Sequence, residues 1–372
     1  MIYLDYASST PISQSVFNAM EPFYNNKNFH YINPNSSYKI GKDLYKFIDL
    51  SRVNIAKLIN AYSPSEIIFT SGATESNNIA ILGSTIFSEK EKKRNHIITT
   101  KIEHVSVLKC FQFLEKKGYK VSYLSVNKYG LIDLNELSSL ITNETSFVSI
   151  MHVNNEMGAV QNIEEISNLL ANKNIVFHVD AAQSFGKLKI DLQNLNIDLL
   201  SISGHKIYGP KGIGALYTRL FPIKNNINPI MFGSGNERGL RPGTPFLPQI
   251  VGLGQASLDA FENYEKNTIH LKSLKQYFFL QKKKKKNIIL NGSIENIIPG
   301  IINIQVQNKN KNYLDKLQSK FLFSFGSSCS KNNMSHVLKA MNLKEYEIKT
   351  SIRLSFGIKT KEKDLLNLLN II

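Results

Sequence analysis

The sequence predicts an α/β fold with a mostly parallel sheet flanked by helices, and two observations carry that reading. From about residue 65 to 220, short β-rich runs alternate with segments of helical spacing. The runs are nearly continuous in apolar residues, as expected of strands joined by crossover helices and buried on both faces. At 372 residues the chain is also long enough for one large domain and a smaller one.

The strand candidates, in order, are EIIFTSG, HIITTK, KVSYLSV, FVSIMHV, IVFHVDAAQ, DLLSISG and GALYTR; segments such as EEISNLLANKN between them have helical periodicity. A Gly/Pro-rich connector, GSGNERGLRPGTPFLP, follows, and a helix then leads into a less regular C-terminal third. The expected division is a large domain over residues 13–258 and a small α+β domain over 259–372, with residues 1–12 folding back onto the latter.

Composition narrows the class. An apolar fraction of 42% is that of a globular protein. No run approaches the roughly 18 apolar residues of a membrane helix, and the start lacks the basic-then-apolar layout of a signal peptide, so a cytoplasmic protein is expected. Only two cysteines occur, which argues against a disulfide framework and for a reducing compartment. Cys110, in the amphipathic pattern VLKCFQFLEKKG, reads as a buried structural thiol; Cys329, in FGSSCSKNN, reads as a candidate reactive one. The net charge of +16 invites a polyanion, yet the lysines are scattered. Their one dense run, Lys282 to Lys286, reads as a solvated helix end or loop, and no nucleic-acid-binding signature accompanies it, so direct nucleic-acid binding is not expected.

In sheets of this kind the ligand lies beyond the carboxyl ends of the strands. Polar residues do follow the apolar runs: Gly72-Ala73-Thr74, Glu103-His104, Asn154-Asn155-Glu156, Asp180 to Gln183, and Ser203 to Lys206. In TSGATESNN the amides of Ala73 and Thr74 can meet a phosphate at a helix start, although a plain capping box explains the same string. Asp180 ends an apolar strand, where a carboxylate needs a partner; a protonated pyridine nitrogen is one, a lysine or a helix cap another. In SGHKIYGPKGIG, Lys206 is placed to form a Schiff base, with Ser203 and His205 toward the phosphate and Lys211 as the rival amine. His104 can stack over a flat cofactor, Asn155 and Gln183 can bond its ring hydroxyl, and Arg353 in SIRLSFG can clamp a substrate carboxylate. Arg353 lies between apolar residues and is expected to be anchored and paired. His152 reads as a satisfied packing residue.

Together these strings resemble the class I cysteine desulfurases of the aminotransferase class V group, which have the type I fold of pyridoxal 5′-phosphate enzymes. The resemblance runs from YLDYASSTP to SIRLSFG and is densest in TSGATESNN, SIMHVNNEMGAVQ, HVDAAQSFGKL and SGHKIYGPKGIGALY. It implies Lys206 as the Schiff-base lysine, Asp180 as the pyridine-nitrogen partner and His104 as the stacking residue. It places Ala73, Thr74, Ser203 and His205 at the phosphate, and Asn155 and Gln183 at the ring and its hydroxyl. Thr244 would reach the phosphate of a neighbouring subunit, which implies a homodimer. Arg353 and Asn33 would hold the carboxylate of L-cysteine, and Cys329 would take its sulfur as a persulfide, leaving alanine. The sulfur would go to acceptor proteins such as an iron–sulfur scaffold or a tRNA-thiolation protein. The alternatives are a selenocysteine lyase or another β-eliminating enzyme of the same fold, and a non-catalytic scaffold.

The chain departs from the family pattern in places. It reads NPNSSYKIG, with Tyr38 near the family's usual histidine, and SFGSSCSK, in a shorter stretch, around the nucleophile. It stops soon after KEKDLLNLLNII, where relatives often continue with a scaffold-docking segment. These departures fall on sulfur delivery more than on the chemistry.

Overall fold

A computed structural model describes residues 1–25, 29–85, 94–220, 227–307, 311–325 and 334–372. The first strand, β1 (Ile2–Tyr3), pairs in parallel with Phe321–Leu322 near the other end of the chain. The seven expected runs then form one sheet: β2 (Ile67–Thr70), β3 (His96–Thr100), β4 (Lys120–Leu124), β5 (Thr145–Ser149), β6 (Val176–Asp180), β7 (Leu199–Ser203) and β8 (Gly214–Thr218). Their order is β2-β8-β7-β6-β5-β3-β4. All pairings are parallel except those of β8, which is antiparallel to both β2 and β7. Every residue of the strands is buried save on the edge strand β4, as a sheet covered on both faces requires.

The side-chain period of two sorts these strands between two cores. Ile67, Phe69, Phe177, Val179, Ala215 and Tyr217 join a cluster with Val16, Leu44, Ile48 and Leu253, from the helices Gln14–Met20, Lys39–Leu58 and Leu247–Glu262. Ile68, Val176 and Leu216, their neighbours in sequence, turn to Ile79, Phe111 and Leu114, on the helices Ala73–Thr85 and Val105–Lys116. The antiparallel strand β8 starts at the edge where the parallel strands end. There Gly214 packs on Gly72, so closely that a Cβ at 214 would lie 2.6 Å from Gly72 Cα.

The C-terminal part holds β9 (Ile288–Asn291), β10 (Ile301–Val306), β11 (Phe321–Leu322), β12 (Ser324–Phe325) and β13 (Ser351–Ser355). Four of them make an antiparallel sheet in the order β12-β13-β10-β9. Helices Tyr264–Lys282 and Glu362–Leu369 pack on it through Leu274, Phe278, Leu365 and Leu368, and Leu4 joins the same core. From Leu4 the chain crosses back to the large sheet. Ser355 N–H donates to the Leu4 carbonyl at 2.7 Å, and Ala7 N–H to Ser355 Oγ at 2.8 Å; Thr10 N–H then reaches the His205 carbonyl at 2.9 Å. The lysine run behaves as expected: the helix ends at Lys282, and Lys283, Lys284 and Lys286 are exposed.

Candidate active site

The strand ends converge on a crevice of about 560 Å³ at the carboxyl edge of the parallel strands. Asp180, the last residue of β6, is buried there. Its carboxylate accepts from Asn77 Nδ2 and from the Ala182 N–H, both at 2.9 Å. None of the ion pairs formed by the described residues includes it. A buried carboxylate with two neutral donors and no cation leaves room for a cationic ligand group.

Lys206 ends the 3₁₀ turn Gly204–Lys206 that follows β7. Its ammonium donates to the carbonyls of Ala7 at 2.6 Å and Ser8 at 2.7 Å, so the crossing N-terminal segment holds it at the crevice wall. Lys211, the rival amine, also lines the crevice but is exposed. His205 Nδ1 lies 3.2 Å from Ser9 Oγ. Burial, then the charges of Lys206, Lys211 and Lys187, push its pKa down to about 4. The ring is therefore neutral at neutral pH, in a locally positive field that suits an anion.

On the far side, the helix Ala73–Thr85 begins at the crevice with Ala73 and Thr74. Its start is braced by Glu75, which accepts from the Ser71 N–H and pairs with Arg241 at 3.1 Å. His104 caps the helix Val105–Lys116, its Nδ1 accepting from the Ser106 N–H at 3.2 Å, and lines the crevice. Asn155, Gln183 and Ser203 line it too. Gln183 Nε2 donates to the Ala7 carbonyl at 2.9 Å.

Arg353, on β13, reaches the crevice from the small sheet and is anchored as its apolar flanks suggest. It donates to Asp5 Oδ1 at 2.7 Å, to Ser324 Oγ at 2.9 Å and to the Asn155 carbonyl at 2.9 Å. Its buried Nε has no partner among the described residues. Three of the five guanidinium donors are thus used, and two remain, one on Nη1 and one on the buried Nε.

Of the expected residues, Asn33 lies elsewhere, and Thr244 is expected at a neighbouring subunit's crevice rather than at this one. Asn33 and Thr244 are exposed and do not line the crevice. Asn33 Oδ1 accepts from the Asn35 N–H, Asn35 Nδ2 donates to Asn236 Oδ1 at 2.9 Å, and Asn236 Nδ2 donates to the Gly243 carbonyl at 2.8 Å. Both therefore belong to one outer surface. Cys329 lies outside the described residues. Cys110 is buried, and burial pushes its thiol up to about 12, as a structural cysteine requires. His152 is buried as expected, but its Nδ1 has no partner among the described residues; its backbone N–H donates to the Asp180 carbonyl at 3.0 Å.

Asn77, which holds Asp180 from one turn inside the helix that starts at Ala73, and Asp5 carry no role in the sequence reading. Two acids that the strand-end pattern named without a role, Glu103 and Glu156, are buried beside the site. Burial raises Glu103 to about 8, against bonds from the Met151 N–H and Thr100 Oγ1. It raises Glu156 to about 7, against a 2.5 Å bond from Ser335 Oγ.

A mainly parallel α/β sheet with a lysine, an unpaired aspartate and a helix start at its strand ends defines a site for a phosphate-bearing cationic ring. The chain belongs to the aminotransferase class V family, whose profile matches residues 2–368. A mitosomal cysteine desulfurase of Trachipleistophora hominis is 43% identical over 96% of this chain and 81% of its own. The cysteine desulfurase IscS of Salmonella paratyphi B is 42% identical over 98% and 90%. Among solved structures, a NifS-like protein superposes with a TM-score of 0.90 at 34% identity, over 99% and 97% of the two chains. SspA in complex with cysteine does so with 0.84 at 38%, over 96% and 99%. The fold is type I, and the family depends on pyridoxal phosphate. The donor set fits that group: a cation-free aspartate for the ring nitrogen, and a helix start with a positive surround for the phosphate.

Proposed function

We propose that this protein is a cysteine desulfurase that takes sulfur from L-cysteine and releases L-alanine. The observation that carries the reading is the convergence of Lys206, Asp180, His104 and Arg353 on one crevice in a chain so similar to enzymes of that name.

Pyridoxal phosphate, when bound, supplies the electron sink for charge developing at the substrate Cα. Lys206 would carry it, Asp180 would hold its ring nitrogen charged, and His104 would lie against its face. Gln183 and Asn155 would bond the ring and its hydroxyl; Ala73, Thr74, Ser203 and His205 would hold the phosphate. Arg353 orients the substrate carboxylate, and the freed amine of Lys206 moves the Cα proton. The Cys329 thiolate attacks the substrate sulfur: a sulfur–sulfur bond forms, the carbon–sulfur bond breaks with its electron pair left on carbon, and protonation of that carbon completes alanine. Cysteine and thiol thus become alanine and a persulfide with no external oxidant.

Residues 13–258 serve as the cofactor domain, and 259–372 with 1–12 as the small domain; the separate core containing Leu4 supports that division. A homodimer is part of the reading. The surface bearing Asn33 and Thr244 also exposes Phe232 and Phe246, and a second copy seated there would bring Thr244 toward its neighbour's phosphate. The sulfur serves iron–sulfur assembly or tRNA thiolation through an acceptor protein. The cytoplasm is the proposed compartment: reduced thiols need a reducing one, and no described helix is long and apolar enough to cross a membrane.

The test is incubation of the loaded protein with cysteine, following alanine and protein-bound persulfide. Equal release of alanine with no persulfide on Cys329, and none lost in Cys329→Ser, would sink the assigned route.

A further inference from the structure

A second cavity of about 630 Å³ is lined by Tyr6, Ala7 and Thr10 of the N-terminal segment and not by Asp180. Lys187 lines it, as does Lys206. Lys187 follows Gly186, whose φ of 68° lies in the left-handed region and whose missing side chain lets the turn press on Ile207 and Ala260. A Cβ there would come within 3.0 and 3.1 Å of them. The reversal folds Lys187 back over the preceding turn, and its Nζ donates to Gln183 Oε1 at 3.3 Å.

Lys187 is an odd cation. None of the ion pairs among the described residues includes it, and the charges that act on it come from Lys206 and Arg353. Burial first, then those two charges, lower it to about 7. An amine placed there without a carboxylate gains its favourable contact from the amide of Gln183 alone among the bonds described.

A carboxamide has two orientations of equal shape. At Gln183 the surroundings choose one. Lys187 offers only hydrogens to Oε1, and the Ala7 carbonyl only accepts, from Nε2 at 2.9 Å. Reversed, the amide would set two donors together at Lys187 and two acceptors together at Ala7. When Lys187 is neutral its lone pair could accept from a reversed amide, and the Ala7 carbonyl, which only accepts, then favours the orientation by itself. The second hydrogen on Nε2 is then left for the crevice.

We propose that Lys187 is a positioning residue that locks the Gln183 carboxamide with its NH₂ toward the crevice, making Gln183 a fixed donor to the ring oxygen of the cofactor. The proposal rests on the assignment of Gln183 to that oxygen. Ala7 alone is a weaker lock, because its carbonyl is shared with Lys206 at 2.6 Å.

The test is a cycle of Lys187→Met, Gln183→Leu and the double variant, reading pyridoxal phosphate affinity of the apoprotein and the position of the bound cofactor's visible band. Loss of a bond to a charged oxygen should weaken affinity roughly tenfold and shift the band in each single variant. The double variant should be no worse than Gln183→Leu, and Lys187→Arg should restore both readings. Additive losses, or a normal band in Lys187→Met beside a shifted one in Gln183→Leu, overturn the proposal alone. A normal band and affinity in Gln183→Leu overturn the assignment beneath it. Should Lys187→Met fail to fold, Lys187→Leu takes its place in the cycle with the same expectations.

Discussion

Arg353 Nη2 donates to Asp5 Oδ1 at 2.7 Å, joining residues 348 positions apart. The pair is nearly sealed from solvent, with side chains 3% and 17% exposed. It fixes the guanidinium from behind and leaves one Nη1 hydrogen and the buried Nε without a bond among the described residues.

Removing one member strands the other's charge. Asp5→Ala should therefore cost about 3 kcal/mol, read as a lower urea midpoint at unchanged slope. It should also raise the KM for cysteine more than it lowers kcat, since the arginine loses its aim rather than its charge. An unaltered midpoint would show that the pair contributes nothing to the fold.

Lys206 is the point of covalent attachment in the proposed chemistry. The loaded protein should absorb near about 400 nm, and Lys206→Ala should not. Borohydride treatment and peptide mapping should find the reduced adduct on Lys206; an adduct on Lys211 would reassign the role.

Asp180→Asn separates charge from hydrogen bonding. Asn77 Oδ1 is a buried atom without a partner among the described residues, so its amide can turn to accept from the new one. The fold should be preserved to within about 1 kcal/mol, while alanine release falls by roughly a hundredfold or more, because the ring nitrogen loses its counter-charge. A variant with near-normal turnover would refute the pairing.

Glu156 makes a prediction in pH. Its carboxyl titrates at about 7 in the fold against an ordinary 4.5, chiefly through burial. A raised carboxyl leaves stability untouched below pH 4.5 and lowers it as pH rises through 7, because only the unfolded chain ionises freely. The span corresponds to roughly 3 kcal/mol at about 1.4 per pKa unit. Glu156→Gln, which keeps an amide for Ser335, removes that loss. Its stability relative to the parent should therefore climb between pH 5 and pH 8, measured by urea melts; a flat difference would place the titration elsewhere.

The seven strands of the large sheet were legible because each is a short apolar run closed by polar residues, and burial on both faces leaves that mark on sequence. For the same reason ten residues of the candidate site could be read off strand ends or motifs and are found at one crevice. What stayed hidden depends on closure between distant segments. Asp5 and Asn77 are ordinary polar residues until β13 and β6 arrive beside them. The glycine-lysine step at 186 and 187 looks like a surface turn until its left-handed φ turns the amine inward. Asn33 and Thr244 carry family positions, but a single chain leaves them on its outer surface.

The N-terminal crossing also orders events during synthesis. Leu4 and Ala7 are made long before Ser355, so their bonds to it wait until β13 has been synthesised. The carbonyls that hold Lys206 and Gln183 are set by that late step. A growing polypeptide thus has its sheet before it has its catalytic wall, and nascent chains should capture no cofactor until β13 has been made.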